Sequence, residues 1–288
     1  MPRLQIVSSL TLTFLASIWA AATGFLPGSA RPPIYRAHVL FSAMRVMFSR
    51  LGASDAQSLS PSTTTAYEKY MKSQGLAPET VVLADGTKGH WIGSSQSKKV
   101  ILFFHGGGFV LPATDGHFLF LGSLLDLVHQ KSGVQAAVLM LEYELAPQSK
   151  YPRQLEQAVG LLKHVIEIGL PPENVPSLIF MAKVEPNIVH QIILAGDSAG
   201  AALALGLILH ISHSHPSLPK VEINQQFLGL VVISPWLTFS HAAPSFTSNR
   251  EKDMLSAAAL STWSEAYSSS SETGTDPFCE IFKAPRSW

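Results

Sequence analysis

The stretch Gln191-Ile192-Ile193-Leu194-Ala195-Gly196-Asp197-Ser198-Ala199-Gly200 constrains this chain more than any other, because an apolar run meets a helix-forming run with almost no residues to turn in. Residues 191–195 read as a buried strand, and Ala201 to Leu209 as a helix rich in Ala and Leu. Ser198 stands at the apex, between Gly196 and Gly200. So tight a turn strains the serine backbone, and the neighbouring chain can pass only where β-carbons are missing. The hydroxyl of Ser198 is thereby lifted clear of the sheet as a candidate nucleophile. Ala199 N–H opens the following helix, where it can face a developing negative charge. The same five-residue pattern arises in ordinary glycine-rich turns, so its reading depends on context.

That context lies about ninety residues upstream, where the apolar run Val100-Ile101-Leu102-Phe103-Phe104 leads straight into His105-Gly106-Gly107-Gly108-Phe109. Three glycines leave the backbone bare. The expectation is that Gly106 and Gly107 N–H, together with Ala199 N–H, form an oxyanion hole, with His105 bracing the loop. A phosphate-binding loop is the competing reading, but the Gly-Lys-Ser/Thr ending that it needs is absent.

These two motifs make the chain resemble the hormone-sensitive-lipase branch of the α/β-hydrolases, and within it fungal esterases related to steryl acetyl hydrolase. Supporting stretches are Tyr143-Glu144-Leu145-Ala146-Pro147 with Tyr151-Pro152, Asp85-Gly86-Thr87 with His90-Trp91, and Ile233-Ser234-Pro235-Trp236. The resemblance implies an α/β-hydrolase fold: a mostly parallel sheet with helices on both faces and an N-terminal helical cap. It implies Ser198 as nucleophile, with Gly106, Gly107 and Ala199 as the oxyanion hole. His105, Gly108, Gly196, Asp197 and Gly200 are the motif's supporting residues. It also implies cleavage of an acyl or acetyl ester of a small lipophilic molecule, in sterol or secondary metabolism, with no metal and no organic cofactor. Asp197, beside the serine, is not the acid such a site uses; the family draws it from much later in the chain.

Composition agrees with an uncharged partner. The chain has 288 residues, 47% of them hydrophobic and 14% charged, enough for one large core. Its formal net charge is zero, so no long-range field would gather nucleic acid. The single cysteine, Cys279, excludes an intramolecular disulfide. No Asn-x-Ser/Thr sequon occurs, and no feature speaks to oligomeric state.

A pass along the chain gives three segments: 1–30 as an apolar leader, 31–75 as a helical region that the resemblance makes the cap and periodicity alone would equally allow as core packing, and 76–288 as the core. Leu4 to Ala30 holds no charged residue, and a helix over residues 4–26 would extend roughly 34 Å, enough to span a membrane. It reads as an anchor, with membrane association, or as a signal peptide with Ala20-Ala21-Ala22 as the cleavage site, or as a lid helix. Arg31, Arg36, Arg45 and Arg50 follow it, whereas Arg3 precedes it, so orientation is open. Ile34 to Leu51 has helical periodicity, and residues 58–65 form a polar break.

The core opens on a hairpin, Val81-Val82-Leu83 returning through His90-Trp91-Ile92. Strand Gln135 to Leu141, helices Phe118 to Val128 and Gln154 to Ile168, and strand Leu228 to Ser234 complete the alternation expected of a parallel sheet. Leu170 to His190, punctuated by four prolines, is an unusually long connection.

A serine site of this order needs an acid and then a histidine, each after a further strand. From His241 to Trp288 no apolar run reads as a strand, so the expectation is a core without its last strands and a chain shortened at its C-terminus. His210, His213 and His215 lie too far along the helix; twelve residues put His210 about 18 Å from the serine. His241 follows the wrong strand. Asp253 and Asp276 read as capping or solvated carboxylates. A non-catalytic binder of an apolar ligand and an inactive remnant are the readings that compete with an ester hydrolase.

Overall fold

The computed structural model describes residues 2–24, 34–168, 191–222, 227–268 and 276–288. Four helices precede the sheet: α1 (Pro2–Thr23), α2 (Tyr35–Arg50), α3 (Ala53–Ser58) and α4 (Thr63–Ser73). α1 and α2 pack as a hairpin, fastened where Tyr35 Oη donates to Ala21 O at 2.8 Å. α1 leaves Val7, Leu10, Phe14, Leu15, Ile18 and Trp19 exposed, and Ile6–Thr23 is long and apolar enough to cross a membrane. The polar break of the sequence is the joint between α3 and α4, where Ser62 Oγ caps α4 by accepting from Thr65 N.

The sheet starts with the expected hairpin. β1 (Thr80–Val82) and β2 (Lys88–Ile92) pair antiparallel across a turn in which Asp85 Oδ1 accepts from Thr87 N. β3 (Lys99–Phe104), β4 (Ala137–Glu142), β5 (Gln191–Asp197) and β6 (Phe227–Ile233) add in the order β1-β2-β4-β3-β5-β6. β2 runs antiparallel to β4, and the remaining pairs are parallel. Helices α5 (Asp115–Ser132), α6 (Arg153–Ile168) and α7 (Ser198–His213) make the crossovers. α5 starts three residues before its apolar run, because Thr114 and His117 close a capping box, and it stops at Gly133 in the left-handed region.

Alternation along the central strands explains why both faces are covered. Val100, Leu102 and Phe104 of β3, with Leu139 and Leu141 of β4, pack on Leu155 and Leu162 of α6 and Leu203 and Leu207 of α7. Ile101 and Phe103, with Val138 and Met140, face Tyr67 of α4 and Phe118 and Leu121 of α5. These central strands are apolar at nearly every position, as strands buried on both sides must be. β6 is at the edge of the described sheet, with Val231, Val232 and Ile233 exposed. After β6 come α8 (Pro244–Ser248) and α9 (Ala257–Tyr267), the latter capped by Ser256 Oγ accepting from Ala259 N. The long connection after α6 lies outside the described residues.

Candidate active site

β3 and β5 are neighbours in register, with Phe104 opposite Gly196, so the glycine loop and the serine turn emerge side by side at the carboxyl end of the sheet. Ligands bind at that end in open α/β sheets. Ser198 has φ 50°, a left-handed conformation held by a non-glycine residue. The turn closes so tightly that a Cβ on Gly196 would fall 2.5 Å from Gly200 O, and one on Gly200 only 2.0 Å from Phe104 O. Trp236 N, just beyond β6, donates to Ser198 O at 3.0 Å and pins the turn from the other side. Ser198 is half-buried, and its Oγ makes no hydrogen bond among the described residues.

The backbone amides fall differently from expectation at one position. Gly106 N–H donates to Asp197 Oδ1 at 2.8 Å, so it is committed to the protein and is not available to an oxyanion. Gly107 and Gly108 N–H make no hydrogen bond among the described residues. Ala199 lies in the first turn of α7, where an N–H has no intrahelical acceptor. The carboxylate next to the serine therefore ties the loop to the elbow rather than acting as an acid.

His117 is the residue that sequence reasoning missed. Its Nδ1 accepts from Thr114 N at 3.0 Å, which leaves Nε2–H to face Asp197 Oδ1 at 3.6 Å. Burial alone would raise the Asp197 carboxyl, but the His117 imidazole and the Gly106 N–H outweigh it and hold the group below its usual range. The available signal was its place three residues after Thr114, at the start of the helix that follows the glycine loop. A cavity of ≈ 280 Å³ borders Asp197, His117, Phe103, Phe120 and Ile233, yet Ser198 is not part of its wall.

His105 braces the loop, as expected. Its Nδ1–H donates to Gly106 O at 2.7 Å, Tyr143 Oη donates to His105 O at 2.8 Å, and the two rings stack at 4.1 Å. Complete burial drives this imidazole from its ordinary 6.5 down to about 4, so it is neutral at pH 7. Between those values the unfolded chain takes up a proton that the folded one refuses, so stability falls as pH drops from 6.5 toward 4. At pH 5 the loss is about 2 kcal/mol, or a melting temperature about 4 °C below that at pH 7. Melts of the parent and His105→Asn at both pH values check this. The variant keeps an N–H donor but cannot titrate, so an equal drop in both would refute it.

The other candidates are bound elsewhere. His210 Nε2 donates to Pro219 O at 3.2 Å, and its Nδ1 accepts from His215 N. His215 Nε2 lies 3.7 Å from Asp276 Oδ2, and that same oxygen accepts from Tyr151 Oη at 2.8 Å. Asp276 thus caps the C-terminal segment, accepting also from Phe278 N, and it is a paired group rather than a solvated one. Asp253 Oδ1 accepts from Leu255 N, a local cap. His241 Nδ1 is 3.5 Å from Ser261 Oγ. Burial pushes the Cys279 thiol far up, which makes it inert as a nucleophile. Among the described residues no three His, Cys, Asp or Glu side chains are grouped to hold a metal.

Comparison with known proteins agrees with this architecture. The chain is 29% identical over 205 residues to an acetyl-hydrolase of Streptomyces hygroscopicus, covering 70% of this chain and 57% of that one. It is 26% identical over 171 residues to an esterase of Acinetobacter venetianus, covering 59% and 46%. It therefore spans about half the length of these relatives. Among solved structures, EstE5 soaked with p-nitrophenyl butyrate matches at a TM-score of 0.56 and 20% identity, over 94% of this chain and 73% of that one. An esterase from the bacterial hormone-sensitive lipase family matches at 0.55 and 20%, over 89% and 75%. Residues 101–287 match the family described as alpha/beta hydrolase fold. With the sheet order, the serine turn and the glycine loop in place, the chain belongs to that family.

Proposed function

We propose that this chain carries the nucleophile and oxyanion hole of a serine ester hydrolase acting on an acyl or acetyl ester of a small lipophilic molecule. The observation that carries the reading is the register of β3 and β5, which sets Ser198 beside amides that have no hydrogen-bond partner among the described residues. Ser198 Oγ attacks the ester carbonyl carbon, and the carbonyl oxygen takes the negative charge. Gly107 and Ala199 N–H hold that oxyanion, with Gly108 N–H, also unengaged, beside them. Collapse breaks the bond to the alcohol oxygen and leaves the acyl group on Ser198, and water then releases the acid. The proton leaving Oγ meets no hydrogen-bonded imidazole among the described residues, so solvent takes it and turnover is slow.

The exposed apolar face of α1 and the lack of charge from Leu4 to Ala30 support membrane association through residues 4–26, and a lipophilic substrate reaches such a site from the bilayer. The N-terminal helices α2 to α4 serve as the cap over residues 76–288. That no imidazole among the described residues is hydrogen-bonded to Ser198 favours one competing reading, a binder of an apolar ligand. Treatment with an alkyl fluorophosphonate separates the two. Phosphonylation mapped to Ser198 by peptide mass supports the hydrolase. A folded protein that stays unmodified, while short-chain p-nitrophenyl esters bind without turnover, supports the binder.

Asp197 offers a second check. Asp197→Ala leaves Gly106 N–H without an acceptor and should lower ester turnover about a hundredfold through misplacement of the loop. Its expected stability cost is ~1–3 kcal/mol. Asp197→Asn retains an oxygen for that N–H and should recover most of both. Equal losses in the two variants would mean that the charge, not the loop contact, is what counts.

A further inference from the structure

We infer that Trp263 is the positioning residue that holds the oxyanion loop in its working conformation, and that cap helix α2 bears on the same indole. The inference rests on the reading of Gly107 and Gly108 N–H as oxyanion donors. Gly107, Gly108 and Phe109 have φ of 116°, 62° and 61°, three successive residues with positive φ. Glycine adopts that region freely, but Phe109 does so only at a cost of about 1 kcal/mol or more, which the surroundings must offset.

Those surroundings come from α9. The Trp263 indole is 4% exposed and lies so close on Gly108 that a Cβ there would fall 2.3 Å from its Cε3. One helical turn on, Tyr267 stacks on Phe109 with ring centroids 3.9 Å apart and planes 10° from parallel. Residues four apart share a helix face, so α9 presents two rings to two consecutive loop residues. The three atoms nearest to such a Cβ all belong to Trp263, while the backbone beyond Gly108 is held by hydrogen bonds: Ala146 N donates to Phe109 O, and Gln57 Nε2 to Val110 O.

The cap reaches the loop through the same side chain. Phe48 of α2 meets the indole edge-on, with centroids 5.3 Å apart and an angle of 68°. α2 is tied to the segment before α9 by Arg45, whose Nε donates to Asp253 O and whose Nη2 donates to Glu251 O, and by a 2.7 Å contact between Ser49 and Ser256 hydroxyls. The indole is thus clamped between the cap and Gly108, and whatever shifts α2 shifts the amides.

Hydrogen exchange of the Val110 and Leu111 amides, both bonded to Gly107 O, reads the loop directly and needs no turnover. In Trp263→Leu their exchange should rise about tenfold, with α6 and sheet amides unchanged, while kcat for p-nitrophenyl acetate falls about tenfold and KM stays within about twofold. Trp263→Phe, which keeps a ring on Gly108, should restore most of both. Unchanged exchange at Val110 and Leu111, or a rise spread evenly over α9 and the sheet, overturns the inference. Should Trp263→Leu fail to fold, Phe48→Ala decides: about a threefold rise at those two amides supports the clamp, and no rise overturns it. A parent without ester turnover whose loop still loosens would sink the hydrolase reading and leave the clamp standing. An active parent with an unmoved loop would do the reverse.

Discussion

Ser198→Ala is expected to end acyl-enzyme formation from a short-chain p-nitrophenyl ester and to lower its hydrolysis about tenfold or more, to the level that the bare amides sustain. The variant removes one oxygen from a half-buried position where that oxygen makes no hydrogen bond among the described residues, so the fold should not register it. The turn itself is held by Trp236 N on Ser198 O, a backbone contact that alanine retains. The positive φ of residue 198 strains alanine and serine alike. Activity and stability therefore separate in this one substitution: turnover collapses while the melting temperature stays within a degree or two. Turnover equal to the parent's would place the chemistry elsewhere in the chain. His241→Ala, run alongside, should leave turnover unchanged, because His241 contacts Ser261 rather than the elbow.

Gly200→Ala should be the most damaging single-methyl substitution in the elbow, costing at least ~3 kcal/mol. The new Cβ would lie 2.0 Å from Phe104 O and 2.5 Å from His105 O, and both are backbone atoms of the strand and loop that form the site. Neither can rotate aside. α7 must move away from β3, opening the packing of Ala199, Leu203 and Leu207 against the sheet. A domain of this kind is stable by only ~5–15 kcal/mol, so much of its margin disappears. Gly133→Ala gives the scale: φ there is +66° but the site is open to 4 Å, so only backbone strain of ~1 kcal/mol applies. Urea unfolding of the pair checks the contrast, and equal midpoints would show that the elbow has more room than its geometry indicates.

The parts legible in the sequence were those set by neighbours in the chain. The strand-serine-helix turn, the glycine loop and the hairpin at Asp85-Gly86 each announce themselves within about ten residues, because local backbone geometry demands those residue types. What was not legible is held from far away. Gly106 was expected to donate to an oxyanion because glycine loops in that place do so. Its amide is engaged by Asp197, and no local pattern could foretell which of three successive N–H groups turns inward. His117 has its role only once the elbow brings Asp197 to face it. Trp263 and Tyr267 carry no local signal of theirs. Their stacking on Gly108 and Phe109 exists only in three dimensions. An acid and a base for Ser198 could not be read from the sequence, and among the described residues no imidazole is hydrogen-bonded to its hydroxyl.

The bond between Gly106 and Asp197 joins residues 91 apart, and Arg45 reaches Asp253 across 208. During synthesis at ~5–20 residues per second, the glycine loop is made roughly 5–20 s before the carboxylate that anchors it. Over that interval the Gly106 amide lacks its native acceptor, and β3, the strand that carries it, lacks β5 on one side. Contacts of such long range form late and slow the folding of the domains that depend on them. Competence of Ser198 therefore becomes a signal of completed folding: a chain able to hold an oxyanion has already closed its longest loops.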